Sequence, residues 1–128
     1  MMNEVERLRA DVQHIINENA AEIQITKREY IDDGSGGKTE VVTTATEFTG
    51  RIFSTAVKPA IDIIQPAGIQ HRNEYKLVAA FNAEIAEATE NVKQTFTVDS
   101  ITYLITELAI IKYAGSIISK EAILMKVS

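Results

Sequence analysis

Two long apolar runs near the C-terminus, Ile101 to Ile111 and Ile117 to Val127, limit what this chain can become. Both are rich in Ile, Thr, Tyr and Val, residue types that fit a pleated surface. Tyr113-Ala114-Gly115-Ser116 separates them, and Gly suits a turn there. A shorter run, Thr95 to Val98, meets the first across Asp99-Ser100, a plausible tight hairpin. The stretch reads as a three-stranded antiparallel meander. In the Ile101 to Ile111 run both faces carry apolar side chains. Strict alternation puts Ile101, Tyr103 and Ile105 on one face and Leu104, Leu108 and Ile110 on the other. One face can fill a barrel while the other takes a helix or a partner chain.

Upstream, residues 3–19 read as an amphipathic helix. Val5, Leu8, Val12, Ile15 and Ile16 recur at three- and four-residue spacing. Asn3 can cap its start, with Glu6 three residues on as in a capping box, and Glu4 and Glu6 suit the positive end of the helix dipole. The stripe can pack on the body of the domain or meet a neighbouring subunit.

The period then changes. Ala21 to Asp32 alternates as a half-buried strand, Asp32 to Gly37 is a flexible turn, and Lys38 to Ser54 returns as extended chain. Gly50 is a candidate for a bulge in that strand. Residues 55–73 are irregular and hold Pro59, Pro66 and Gly68, yet also Val57, Ile61, Ile63, Ile64 and Ile69. An ordinary solvent loop is more polar, so these apolar residues need a partner. They are candidate interaction residues, with Val5, Leu8 and Val12 of the helix. The segment is expected to be mobile in an isolated subunit and ordered on assembly, unless it caps this chain's own barrel. Glu74 to Phe81 is a short strand. Asn82 to Asn91 links two strands as a loop or one helical turn.

A helix followed by about six strands, without βαβ alternation, gives a mostly-β (α+β) fold. The expectation is one domain over residues 1–128: a small antiparallel β-barrel over 21–127 with a long loop at 55–73, preceded by the helix. The expected core is Ile23, Ile25, Phe53, Leu77, Phe96, Val98, Ile101, Tyr103 and Ile105.

Composition excludes several chemistries. With no Cys there is no disulfide or thiolate site, and the two His, His14 and His71, stand far apart without companions at ligand spacing. No apolar stretch approaches the ~20 residues that span a bilayer. The N-terminus lacks a signal-peptide core, so a cytoplasmic location is expected. Gly34-Ser35-Gly36-Gly37-Lys38-Thr39 resembles the end of a P-loop. However, Asp32 stands where the first Gly belongs, and TEVVTT reads as strand where a helix must follow. Asp32 and Asp33 lack the EF-hand spacing. No serine has a nucleophile-elbow context. The reading is no enzyme, no cofactor and no metal. An oligonucleotide-binding barrel, or a small-ligand module, is the rival. Against nucleic acid stand a net charge of −5 and only two close basic-aromatic pairs, Tyr75 with Lys76 and Lys112 with Tyr113.

Several strings, taken in order, carry a likeness that spans the chain. They are the leading helix ending near Asn17-Glu18-Asn19, Ile23-Gln24-Ile25-Thr26-Lys27 with Tyr30, and the Asp-Gly-Ser-Gly-Gly turn. Phe48-Thr49-Gly50-Arg51-Ile52, Tyr75-Lys76-Leu77-Val78-Ala79, Phe96-Thr97-Val98 and Tyr103-Leu104-Ile105-Thr106 follow. In this order the chain resembles the head-closure (stopper or neck) proteins of tailed phages, as carried by defective phage-like elements of Bacillus. The resemblance implies a structural virion or phage-like particle protein of the head-tail connector. Copies would form a ring that closes the DNA-filled head and docks the tail. Its partners would be other copies of itself, portal and adaptor proteins, and tail proteins, with DNA passing through unread and no membrane. It also implies that the 55–73 loop projects into the channel. An acidic subunit suits such a conduit, because like charge discourages sticking to the passing duplex.

Overall fold

The computed structural model describes residues 2–57, 72–87 and 89–127. One helix, α1 (Glu4–Asn17), precedes eight strands: β1 (Ala21–Ile23), β2 (Thr26–Asp32), β3 (Lys38–Thr44), β4 (Phe48–Val57), β5 (Arg72–Ala80), β6 (Val92–Val98), β7 (Ile101–Tyr113) and β8 (Ser116–Lys126). They form one antiparallel sheet, in the order β1-β4-β5-β8-β7-β6-β2-β3, curled into a half-barrel. The strand count is eight rather than six because two expected strands break. The Ala21 to Asp32 strand divides at Gln24-Ile25. Its first part pairs with β4 and its second with β3 and β6. Two covalently consecutive strands thus sit toward opposite ends of the sheet, and Gln24-Ile25 bridges the gap between them. The long Lys38 to Ser54 strand breaks at Ala45-Thr46-Glu47, where Ala45 N–H donates to Ile25 O at 2.9 Å.

The meander is present. Its two hairpins turn on two residues each. Asp99 and Ser100 have φ of 51° and 67°, and Ala114 and Gly115 have 51° and 82°. Positive φ at both central residues is the type I′ geometry whose twist matches the flanking strands. Among the described residues of the stretch from Asn82 to Asn91 there is no helix. Gln94, almost fully buried, pins this loop: its Oε1 accepts from Ala86 N–H at 2.8 Å and its Nε2 donates to Ala86 O at 2.6 Å. That amide satisfies loop backbone that would otherwise be costly to bury.

The concave face holds the core: Ile23, Ile25, Leu77, Ala79, Ala83, Ile85, Phe96, Tyr103, Ile105, Ala122 and Leu124. Six of the nine expected core residues are buried there, and Val98 and Ile101 pack against the cluster half-buried. Phe53 is the exception. Strand alternation gives the concave place to Ile52, and Phe53 lies on the convex face beneath Arg51, whose guanidinium stands 4.5 Å from its ring centre. Leu108 is displaced the other way. A register shift between Ile105 and Glu107 makes Thr106 an extra residue, so Leu108 packs against the core instead of facing outward. Gly50 is not at a bulge, since its pairing with Ala21 and Ala79 runs on without a shift. It is there because a Cβ would lie 2.7 Å from Leu77 Cδ1 and 3.2 Å from Val78 O.

α1 packs across the convex side of β4, β5 and β8. Asn3 caps it, its Oδ1 accepting from Glu6 N–H at 2.8 Å. Ile16 is fully buried. Arg9 donates to Ile117 O at 2.9 Å and covers the Phe81 ring, and Arg51 donates to Ile15 O and Glu18 at 3.0 Å. Two arginines therefore fasten the middle and the C-terminal end of the helix to the sheet.

Candidate interaction surfaces

Three features could serve an interaction: clefts in the half-barrel, the helix stripe, and strand edges left without partners. The first cleft, about 660 Å³, lies between β2, the β3–β4 connection and the 82–86 loop. Three of its polar side chains, Lys120, Glu84 and Gln94, are already engaged. Lys120 Nζ donates to Ala83 O at 2.8 Å, Thr46 N–H donates to Glu84 Oε2 at 3.0 Å, and Gln94 is held by Ala86. These contacts fix the loop on the sheet. The second cleft, about 570 Å³, opens between the α1–β1 connection and the β6–β7 turn. Tyr75 and Tyr103 meet there edge to face, with ring centres 5.5 Å apart. Burial, then Tyr75, then Asp99 push the Tyr103 hydroxyl above its usual range.

Val5, Leu8 and Val12 are half-buried on this chain's own sheet side of α1, and Ile15 remains 42% exposed. Val12 and Ile15 line a largely apolar cleft with Phe53, Val78 and Ile123. Of the 55–73 segment, Val57 is the last residue of β4 and pairs with Arg72, so the strands extend further than expected. Ile61, Ile63, Ile64 and Ile69 lie outside the described residues.

The Asp32-to-Gly37 turn is closed on itself. Asp32 Oδ1 accepts from Gly34 N–H, and Asp33 Oδ1 accepts from both Ser35 and Gly37 N–H, at 2.8–3.2 Å. Three of the turn's amides are thus already bonded within it, and strand β3 follows where a phosphate-binding helix would have to start. Tyr75 points into the core side, while Lys76 faces the other way and pairs with Glu121 at 3.4 Å. Lys112 and Tyr113 are exposed at the tip of the β7–β8 hairpin. In each pair the two members are strand neighbours that face opposite sides of the sheet, so neither pair makes a basic-aromatic platform. Among the described residues no group of acidic, His or Cys side chains could hold a metal ion, and no helix is long and apolar enough to cross a membrane.

The strand edges are the surface that sequence reading missed. β3 ends the sheet, and all seven of its residues are exposed. Val41 and Val42, at 40% and 53% exposure, put an apolar side chain on each of its faces. β7 pairs with β6 only from Ile101 to Leu104. From Ile105 to Tyr113 its outer edge has no strand partner among the described residues, and Ile110, Ile111 and Tyr113 are exposed there. The alternation signal was present in both strands. What sequence could not show is that β6 is too short to cover β7. The sequence matches no protein-family model and no curated protein.

Proposed function

We propose that this chain is a structural assembly subunit, a head-tail connector protein of a phage-like particle that forms a ring, closes the head and docks the tail. The observation that carries the reading is the pair of uncovered edges. A flat, exposed, seven-residue edge strand is a template for pairing with another chain, and stand-alone proteins usually blunt such an edge. Here β3 has neither a proline nor a bulge, and its charges are limited to Lys38, Glu40 and the neighbouring Arg28. Lys120, Glu84 and Gln94 of the larger cleft are engaged in holding a loop, which favours assembly over ligand capture. Deleting the gene in its producing strain and viewing the particles by electron microscopy tests the reading. Separate heads and tails, with heads that have lost DNA, are expected; complete tailed particles would refute it. Tight binding of the purified chain to single-stranded DNA at low salt would favour the barrel-ligand alternative instead.

A further inference from the structure

We infer that the ring is built by β-augmentation in one register: β3 of one copy pairs antiparallel with the outer edge of β7 of the next. This rests on the ring reading above and names the interface.

The direction of the backbone groups comes first. Asp33 N–H bonds Gly37 O at the base of the β2–β3 turn, and Tyr30 N–H bonds Asn91 O on the opposite side of β2. Hydrogen-bonding direction alternates along an antiparallel strand. In β3, Thr39, Val41 and Thr43 therefore aim their backbone at β2, and Lys38, Glu40, Val42 and Thr44 aim theirs at open space. In β7 the two-residue turn closes on Tyr113 and Ser116, a hydrogen-bonded pair. A second register shift, between Ile111 and Lys112, puts its extra residue, Ile118, on β8 and leaves β7 unbroken from Glu107 to Tyr113, so the backbones of Tyr113, Ile111 and Ala109 bond β8 and those of Lys112, Ile110 and Leu108 aim outward.

Only outward-aimed residues can pair across the new seam, so antiparallel registers move in steps of two. One step aligns Glu40 with Lys112, Val42 with Ile110 and Thr44 with Leu108. Between them, Val41 falls opposite Ile111 and Thr43 opposite Ala109. Both exposed apolar pairs are covered, and the one charge pair is of opposite sign. A step one way sets Lys38 against Lys112 and Glu40 against Ile110. A step the other way sets Val42 against Lys112. Pairing β3 with β3 about a two-fold axis sets Glu40 against itself, against Val42, or against Thr44 with Val42 against Val42, and none of these gives Glu40 a cation across the seam. Among the antiparallel β3–β7 registers, charge and apolarity together select this one. Arg28 Nη1 bonds Glu40 Oε1 at 2.6 Å, which leaves Oε2 for Lys112. The two edges differ, so the contact is head-to-tail, the kind that closes into rings.

The absence of native Cys makes the test direct. Thr43 and Ala109 would form a non-hydrogen-bonded pair, with Cα atoms about 4.5 Å apart, within disulfide range. Chains carrying Thr43→Cys and chains carrying Ala109→Cys are mixed and oxidised, with Thr39→Cys replacing Thr43→Cys as the out-of-register control. We expect the Thr43→Cys/Ala109→Cys dimer in roughly tenfold or greater excess over the control, because pairing raises the local thiol concentration. Adding Lys112→Glu to the Ala109→Cys chain lowers the yield, and Glu40→Lys in the Thr43→Cys chain restores it. Equal yields in and out of register, a dominant Thr43→Cys homodimer, or no dimer above the rate for urea-unfolded chains would each overturn the inference. Unjoined heads and tails after gene deletion, with no register-specific disulfide, would leave the connector reading standing and remove this interface. The disulfide together with complete particles would do the reverse.

Discussion

Gly50 and Leu77 occupy one place in the core, so their substitutions should not add. Leu77 is fully buried at the centre of the concave cluster. Leu77→Ala deletes most of a side chain there and is expected to cost about 2–5 kcal/mol in transfer and cavity terms. Gly50→Ala inserts a methyl 2.7 Å from Leu77 Cδ1, a separation real Cβ atoms essentially never show, and 3.2 Å from Val78 O. Overpacking of this kind costs about 1–3 kcal/mol, offset by about 0.4–1 kcal/mol from the stiffer unfolded chain. Leu77 Cδ1 is the end of a side chain, but Leu77 is fully buried in the cluster, so it can yield only by displacing its neighbours. With Leu77 truncated, the closest clash disappears and the new methyl fills part of the cavity. The double variant should be more stable than the sum of the singles by about 1 kcal/mol or more, well above the roughly 0.3–0.5 kcal/mol within which independent sites add. Urea unfolding of the four proteins measures the cycle, with equal m-values required. Additivity within that margin would refute the packing reasoning at β4 and β5.

Other positions give further expectations. Gln94→Leu leaves Ala86 N–H and O without their buried partners and should cost about 1–3 kcal/mol by urea unfolding, with faster hydrogen exchange at residues 83–87. Ser100→Gly should stabilise by roughly 0.5–1 kcal/mol, since a left-handed residue at φ 67° strains any side chain more than it gains from a stiffer unfolded chain. The Tyr103 hydroxyl has a folded pKa above its unfolded value of 10.0. Its contribution is therefore fully present below pH 10 and is lost as the pH rises through the folded pKa. Tyr103→Phe should flatten that part of the alkaline decline in stability relative to the parent chain.

Local pattern carried much of the fold. Alternation and turn chemistry located the meander, and three- and four-residue spacing with Asn3 located the helix. Position along the sheet was not local. Nothing in Gln24-Ile25 says that the chain there crosses between distant strands, because that depends on sheet curvature. The open edges depend on the relative lengths of β6 and β7, which only their pairing defines. Phe53 failed for a chemical reason: a large aromatic looks like core, but Val12 and Ile15 of the helix with Val78 and Ile123 make the convex face apolar enough to take it, and the Arg51 cation stacks on its ring.

Thr106 offers the sharpest separation between the two ways of reading β7. Under strict alternation Leu108 faces outward, and removing Thr106 would turn every residue from Glu107 to Tyr113 to the opposite face. In the structure Thr106 is the extra residue, with Ile105 opposite Leu124, Glu107 opposite Ile123 and Leu108 opposite Ala122. Its hydroxyl donates to Ile123 O at 3.1 Å, and its side chain is exposed. Deleting it leaves those three pairs intact and removes this shift from the ladder, because Ile105 then points inward, Glu107 outward and Leu108 inward; the shift between Ile111 and Lys112 is untouched. The loss should be one hydrogen bond and some local twist, about 0.5–1.5 kcal/mol. Leu108→Ala should then be as costly in the deletion variant as in the parent chain. If the bulge were wrong, deletion would bury Glu107's successors in a new order and break the hairpin register, with a loss of several kcal/mol. Urea unfolding of the parent, the deletion variant, and Leu108→Ala in each background distinguishes the two. A deletion variant that fails to fold, or one in which Leu108→Ala has become silent, would remove the bulge and with it the direction assigned to the backbone groups of Leu108, Ile110 and Lys112 at the open edge.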